Sequence, residues 1–293
     1  MSIAGLVRLV HPFPSLLTSA ATTAIATLAG ADPPTSLRLG LAMLGIQFSI
    51  GALNDLVDAP IDAAQKPRTP IPSGLVGRAV ALVVAIAGAS AGMGLSAVSG
   101  ISTVIAGIGC LGLGYLYDLR LSRTVLSWLP LSLALPLLPI HAWLGATGSI
   151  PAGLLTLVPV GIVGGGGLAL ANGLVDIERD ATAGRIAAAV ALGRRPSWLV
   201  QTLALAVAAT LAVFVAPGVP PDAPGLDLGA LRVLRFVGVA LGVSLLGLGA
   251  AGLAAGRASV RERGWELEAV GVACLGVGWL AGTAAAAGGG PDV

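Results

Sequence analysis

Two acidic segments of the sequence share one pattern of residues. The first runs from Asn54 to Asp62 and reads NDLVDAPID, and the second runs from Asn172 to Asp180 and reads NGLVDIERD. Five of the nine positions are identical, and the two segments contain the only asparagines of the chain. The shared pattern, Asn-x-Leu-Val-Asp-x-x-x-Asp, therefore indicates two related halves of one molecule.

The spacing of the shared polar residues suits the binding of divalent cations. Residues at i, i+4 and i+8 lie along one face of a helix, so each segment is predicted to present a row of oxygen atoms. The two rows are Asn54, Asp58 and Asp62, and Asn172, Asp176 and Asp180. Carboxylates at this spacing repel each other, whereas Mg²⁺ binds one or two carboxylates and completes its shell with water and phosphate oxygens. We predict that the two rows face each other and hold two Mg²⁺ ions, with Asn172 contacting the bound phosphate compound.

Two further acids, Asp55 and Glu178, lie inside the same segments and are predicted to support the metal ions directly or through water. Six of the 14 acidic residues of the chain lie in these two nonapeptides. The structural alternative is that the acids cap helix ends in water. A carboxylate near the C-terminal end of a helix opposes the helix dipole, so a binding role explains the segments better.

Basic residues follow each acidic segment. Residues 65–74, QKPRTPIPSG, contain Arg68 and Lys66, which is the only lysine of the chain, and Arg185 has a comparable place after the second segment. Ammonium and guanidinium groups donate hydrogen bonds to phosphate oxygens, so these three residues are predicted to bind a diphosphate. The alternative is that they are ordinary positive charges that face lipid headgroups.

A third polar cluster, YLYDLRLSR, covers residues 115–123. Its tyrosines suit either an interfacial belt or the wall of a cavity, where they would meet the leaving group. The candidates for substrate contact in this cluster are Tyr115, Tyr117, Arg120 and Arg123. Gln47, seven residues before Asn54, is expected on the same helix face as the first segment. His11 and His141 are isolated, so no metal role is predicted for them.

The composition identifies the solvent of the elements that position these residues. Hydrophobic residues make up 56% of the chain and charged residues 10%, and the mean hydropathy is +0.94. Such values are typical of a polytopic membrane protein rather than of a soluble domain. The net charge of +2 and the absence of any basic run argue against a nucleic-acid partner.

Apolar stretches of about 20 residues, separated by charges and by Pro and Gly clusters, predict an all-α bundle of about nine transmembrane helices. They are expected to form a single domain that covers residues 1–293. The predicted spans are 13–30, 37–57, 77–97, 100–117, 125–145, 152–175, 197–217, 229–254 and 268–287. Because the second and sixth spans enter from the same side, the halves are predicted to be parallel pseudo-repeats.

The basic residues predict the orientation in the membrane. Of the 16 basic residues, 13 lie on the side that carries the N-terminus and both acidic segments. The positive-inside rule therefore places the N-terminus and these loops in the cytoplasm, and the C-terminus on the opposite side of the cell or inner membrane. The segment from Arg257 to Glu268, with Trp265, is predicted to be an interfacial amphipathic link.

Together these motifs resemble the UbiA superfamily of intramembrane prenyltransferases. The resemblance covers almost the whole chain and is carried by NDxxDxxxD at Asn54 to Asp62, a KPxxPIPSG-like loop at Lys66 to Gly74, and the acids at Asp176 to Asp180. It implies a helical bundle around a central cavity that opens to lipid, with diphosphate and Mg²⁺ at the cytoplasmic end. Thr69 stands where the family usually has arginine, and either tyrosine of the third cluster matches the family's tyrosine.

The resemblance and the residues together predict an enzyme. It would transfer a prenyl group from an isoprenoid diphosphate to a lipophilic, aromatic acceptor within the membrane and release diphosphate. Asp58, Asp62, Asp176 and Asp180 would hold the metal ions, while Lys66, Arg68 and Tyr117 would complete the catalytic set. The alternatives are a terpene cyclase that uses the same diphosphate site without an acceptor, and an ion-coupled transporter.

Overall fold

The computed structural model describes residues 2–219 and 227–288, and all regular elements in these two ranges are helical. A π-helical turn, Tyr117–Leu121, continues directly from α5. The helices are α1 (Ile3–Leu9), α2 (Pro12–Leu28), α3 (Pro33–Gln65), α4 (Arg78–Ala97), α5 (Ile101–Leu116), α6 (Leu129–Thr147), α7 (Ala152–Leu155), α8 (Leu157–Val175), α9 (Ile177–Thr182), α10 (Ala188–Leu192), α11 (Arg194–Phe214), α12 (Leu228–Leu253) and α13 (Ala258–Gly288).

Nine long helices form the bundle in the described part of the chain. Eight of them are long and apolar enough to cross a membrane, counting α5 with its π-helical turn and α7 with α8. The ninth, α2, has 17 residues and a length of about 26 Å, close to the ~30 Å of hydrocarbon. The prediction of an all-α integral membrane protein with about nine helices is confirmed.

Helix α3 is longer than the span predicted from 37 to 57. It begins after Asp32, whose side chain accepts a hydrogen bond from the Thr35 amide, and continues through Pro60 to Gln65. At 1.5 Å per residue its 33 residues extend about 50 Å, more than the ~30 Å of hydrocarbon. The first acidic segment therefore forms the last turns of α3, beyond the apolar part of the helix.

The second acidic segment is not one continuous helix. Helix α8 ends at Val175, Asp176 has φ −111° and ψ 15°, and α9 begins at Ile177. The uninterrupted row expected for this copy is therefore wrong, although the Asp180 amide still donates to the Asp176 carbonyl at 2.9 Å. Helix α8 is the fourth long helix after α3, so the two helices run in the same direction.

The expected interfacial link before the last span is also wrong. Helix α13 begins at Ala258, and within the expected link Arg261 is 1% exposed and Glu268 is fully buried. Small residues explain this burial, because a Cβ added to Gly264 would lie 2.7 Å from the Gly249 carbonyl oxygen of α12. Such close backbone approach is typical of helix pairs in lipid.

An apolar cavity lies inside the bundle, with a volume of about 200 Å³. Side chains of α2, α6, α8, α11, α12 and α13 line it. Two aromatic rings in its wall, Phe13 and Trp265, meet edge to face with centroids 5.6 Å apart. The cavity is large enough to receive part of an apolar chain.

Candidate functional site

The ends of the two acidic segments meet through a reciprocal exchange of charges. Lys66, after the first segment, places Nζ 2.7 Å from Oδ2 of Asp176 in the second segment. Arg185, after the second segment, places Nη2 3.2 Å from Oδ1 of Asp58 in the first, and its Nη1 lies 3.6 Å from Asp180 Oδ1. The structure thus brings the segments together as the repeated pattern suggested.

The third polar cluster joins the same site. Arg123 donates from Nη2 to Oδ1 of Asp58 at 3.1 Å, so Asp58 receives two guanidinium groups. Tyr117 lies within electrostatic range of Asp58, Asp180 and Arg185. It begins the π-helical turn, and such turns often occur at functional sites because they redirect side chains.

Charge and burial determine the protonation of the loop residues. Burial raises the pKa of the Asp180 carboxyl, while the nearby Arg185 partly offsets this shift. Burial lowers the pKa of Arg185, but Asp58 and Asp180 outweigh burial and raise it. Arg185 is therefore a permanent cation between two carboxylates, a position from which it can bind other anionic oxygens.

The first acidic segment has partners that its local pattern does not reveal. The Asp55 carboxyl is almost buried, and its Oδ1 lies 3.0 Å from Nε2 of His11, a residue with φ +47° at the start of α2. Asn54 donates from Nδ2 to Oδ1 of Asp118 at 2.9 Å. No local signal connects His11 to Asp55, whereas Asp118 belonged to a recognised polar cluster.

The second acidic segment is attached to the last helices. Glu178 forms ion pairs with Arg261 of α13 and, at 3.8 Å, with Arg194 of α11. Arg261 also donates to the carbonyl oxygens of Val175 at 3.0 Å and Gly256 at 2.8 Å. Arg261 therefore stabilises the break between α8 and α9, a role that no sequence pattern indicates.

Asp176 uses both carboxylate oxygens. Its Oδ2 accepts from Lys66, and its Oδ1 accepts from Arg179 Nη1 at 2.6 Å within the same turn. Arg179 is a further residue that was not among the expected contacts. The two cations neutralise a carboxylate that is expected to bind a metal ion.

The remaining expected contacts lie farther from the paired acids or have other partners. The Tyr115 hydroxyl lies 2.6 Å from Ser49 Oγ, inside the interface between α3 and α5. Gln47 is partly buried in α3. The exposed members of the expected set are Arg68, Arg120 and Asn172.

The donor set fits hard divalent cations. Asp58, Asp62, Asp176 and Asp180 contribute carboxylates at one end of the bundle, and Lys66 lies near Asp62 as well as Asp176. Within residues 2–219 and 227–288, no three Asp, Glu, His or Cys side chains converge as a ready-made metal cage. Mg²⁺ requires only one or two carboxylates when water and phosphate oxygens supply the other ligands.

The apolar cavity begins beside this polar site. Phe13 in its wall lies two residues after His11, which contacts Asp55 of the first segment. Trp265 in its wall lies four residues after Arg261, which contacts Glu178 of the second segment. A molecule with a charged head and an apolar tail can thus place its head among the acids and bases and its tail in the cavity.

These features define an integral membrane protein that combines a charged site at one end with an apolar cavity inside the bundle. A comparison with family models identifies the class: residues 15–258 match the UbiA prenyltransferase family. The chain belongs to this family of prenyltransferases, and the resemblance noted in the sequence is confirmed.

One curated relative is the digeranylgeranylglyceryl phosphate synthase of Pyrococcus abyssi, with 26% identity over 124 residues. The match covers 41% of this chain and 45% of the relative, so it spans less than half the length of that protein.

Solved structures share the fold over nearly the full chain. A UbiA homologue from Aeropyrum pernix K1 has a TM-score of 0.69 at 18% identity and covers 93% of this chain and 97% of its own. A UbiA homologue from Archaeoglobus fulgidus, bound to GPP and Mg²⁺, has a TM-score of 0.69 at 15% identity, with 95% and 99% coverage. At these identities the similarity establishes the fold.

Proposed function

We propose that this protein transfers a prenyl group from an isoprenoid diphosphate to a lipophilic, aromatic acceptor within the membrane and releases diphosphate. The observation that carries the proposal is the meeting of the two acidic segments through Lys66 and Arg185 beside an apolar cavity. One site thereby offers ligands for metal ions, donors for phosphate oxygens and space for an apolar chain.

Asn54, Asp58 and Asp62 are assigned to one Mg²⁺ ion, and Asp176 and Asp180 to a second. When bound, Mg²⁺ would supply positive charge to the diphosphate and lower the energy of its departure. Support for this assignment comes from the oxygen-rich donor set and from the family relative described with GPP and Mg²⁺. Because Asp55 and Glu178 already contact His11 and Arg261, we assign them supporting roles that position the segments.

Lys66, Arg68 and Arg185 are proposed to bind the diphosphate oxygens. Negative charge grows on the leaving group as the allylic C–O bond breaks, and fixed cations in a site shielded from water stabilise it more strongly than solvent does. Arg185 is the best placed, since its side chain is only 13% exposed and is held between Asp58 and Asp180.

The third cluster is proposed to shape the reactive end of the cavity. Tyr117 lies close to the paired charges and would contact the leaving group, and Arg123 reaches Asp58. The allylic cation formed there is captured by the acceptor, and burial in the bilayer protects it from water. The remaining substrate-contact candidates are Gln47, Asn172, Tyr115 and Arg120.

The charge distribution supports an orientation with the site in the cytoplasm. We propose that the N-terminus and the loops of the acidic segments are cytoplasmic, and that the C-terminus lies on the opposite side of the membrane.

The deciding experiment incubates the purified protein with a panel of prenyl diphosphates and lipophilic acceptors, followed by mass spectrometry and a pyrophosphate assay. We expect a prenylated acceptor and Mg²⁺-dependent pyrophosphate release, both lost in Asp58→Asn. Asp32→Asn is the matched control, because Asp32 caps the opposite end of the same helix, α3.

Two other results would replace the proposal. A cyclised terpene formed without any acceptor would identify a terpene cyclase. Substrate flux into proteoliposomes without pyrophosphate release would identify a transporter.

A further inference from the structure

A second buried polar group lies inside the bundle, apart from the acidic segments. Glu268 of α13 and Gln201 of α11 are both fully buried, and the Gln201 amide lies close enough to interact with the Glu268 carboxyl. Both carboxyl oxygens of Glu268, Oε1 of Gln201 and Nε1 of Trp265 lack a well-formed hydrogen bond. Four polar atoms in one part of the membrane interior are thus unsatisfied.

Such a cluster is costly unless something satisfies it. A buried polar atom without a partner loses its hydrogen bonds to water, and an acid within a membrane span usually marks a functional site. Arg261 does not neutralise Glu268, because it lies two helical turns earlier and pairs with Glu178. The neighbouring helix makes room for the acid, since a Cβ at Gly249 would collide with Glu268 Cγ.

The position of Glu268 relates it to the apolar cavity. Trp265, Ala269 and Val272 line the cavity, and Glu268 lies among them at helical spacing. The same holds on α11, where Leu205, Ala208 and Ala212 line the cavity. Gln201 lies one turn before Leu205 on that face of the helix. The cavity-facing stripes of two helices therefore bring the carboxyl and the amide to one place in its wall.

We propose that Glu268 and Gln201 form a binding site for the hydroxyl group of a lipid-soluble alcohol whose apolar part occupies the cavity. A hydroxyl group donates one hydrogen bond and accepts others, so it suits a carboxyl and an amide oxygen that lack well-formed hydrogen bonds. Among the described residues no Lys, Arg or His pairs with Glu268, which disfavours an anionic group.

The other polar groups near this place are already engaged. The amide nitrogen of Gln201 donates to Thr202 Oγ1 at 2.8 Å, which leaves its oxygen to accept from a ligand. The hydroxyl of Thr18 in the cavity lining donates to the carbonyl oxygens of Pro14 and Ser15. The Glu268 carboxyl and the Gln201 oxygen are therefore the groups that a ligand hydroxyl would satisfy.

The proposal rests on the proposed function in one respect: the bound alcohol would be the acceptor, or carry the acceptor group, of the prenyl transfer. Alcohol binding itself requires neither diphosphate nor Mg²⁺.

The test measures binding of geranylgeraniol, a C20 alcohol, and of the corresponding hydrocarbon without the hydroxyl group. The full-length protein in detergent is used without diphosphate or Mg²⁺, and binding is followed by tryptophan fluorescence. We expect the alcohol-to-hydrocarbon affinity ratio to fall about tenfold in the double variant Gln201→Leu with Glu268→Leu, because up to two hydrogen bonds are lost.

Two further variants make the test specific. Glu268→Gln can still donate and accept hydrogen bonds, so it should keep most of the ratio even if the leucine variant does not fold. Glu266→Gln is the matched control on the same helix, because Glu266 pairs with the exposed Arg263. It should leave the ratio unchanged.

An equal response of wild type and the Gln201/Glu268 double variant to the hydroxyl group would overturn the proposal. So would loss of the ratio in Glu266→Gln but not in the double variant. If the ratio behaves as expected but no prenyl transfer occurs, the proposed function fails and the alcohol site stands. If transfer occurs without any dependence on the hydroxyl group, the alcohol site alone fails.

Discussion

The Nζ atom of Lys66 lies 2.7 Å from Oδ2 of Asp176, although the residues are 110 positions apart in the chain. The contact joins the loop of one half to the acidic segment of the other. Because both side chains are about one-third exposed, the pair contributes about 0–1 kcal/mol to stability. Its importance is in placing a cation where a diphosphate is proposed to bind.

Replacing Lys66 should weaken substrate binding without unfolding the protein. We expect Lys66→Gln to raise the KM for the prenyl diphosphate roughly tenfold, the effect of about one lost charge-assisted hydrogen bond. Steady-state kinetics and thermal melting in detergent measure the two effects. Arg78→Gln, at an exposed basic position that begins α4, is the control and should change neither quantity.

Replacing Asp176 should abolish turnover and leave the fold intact. Asp176→Ala removes a proposed metal ligand, and loss of metal-assisted charge stabilisation is expected to lower kcat by ~100-fold or more. Pyrophosphate release and the melting temperature are measured in parallel. EDTA should suppress wild-type turnover, and added Mg²⁺ should restore it. Activity of the variant near the wild-type level would contradict the assignment.

Arg261 is expected to act as a positioning residue. Arg261→Met leaves the Val175 and Gly256 carbonyl oxygens without this donor inside the protein, at a cost of about 3 kcal/mol. The melting temperature should fall accordingly, and the Mg²⁺ concentration needed for half-maximal activity should rise because the second acidic segment loses its support.

Two comparisons separate this role from a general loss of stability. Arg261→Lys should restore part of the Mg²⁺ affinity. Arg263→Met, which affects an exposed pair with Glu266, should leave both readouts unchanged. An unaltered Mg²⁺ requirement in Arg261→Met would assign Arg261 a purely structural role.

Filling the apolar cavity should shorten the preferred prenyl chain. Gly164 lines the cavity, and a Cβ added there would make only ordinary van der Waals contacts, the nearest at 3.7 Å, so Gly164→Leu would extend into the cavity. We expect the KM for a C20 diphosphate to rise several-fold while that for a C5 diphosphate stays constant. Gly112→Leu is the control, because the space around Gly112 is open and outside the cavity.

The proposed orientation predicts which loops react with a membrane-impermeant thiol reagent. Ser149→Cys, in the loop after α6, should be labelled in intact cells, whereas Ser73→Cys, in the loop after α3, should react only after permeabilisation. Both positions are exposed. Labelling is measured as the increment over wild type, since Cys110 is buried and Cys274 is partly buried. The opposite pattern would invert the topology.

Composition and local spacing were enough to predict the membrane class, the number of long helices and the residues of both acidic segments. These features depend on patterns within a few turns, which are readable in one dimension because helix geometry is regular. The family resemblance followed from the same local motifs. Helix ends were less well predicted, since α3 continues through Pro60 and α13 begins ten residues before the predicted span.

The pairing of charges, by contrast, could not be predicted before the helices were placed in three dimensions. Lys66 contacts the acid of the other half, Asp55 contacts His11, and the break at Asp176 depends on Arg261 from the last helix. Glu268 and Gln201 meet because two cavity-facing helices lie side by side. Such contacts join residues far apart in the chain, and their formation depends on how whole helices are arranged, which no local spacing specifies.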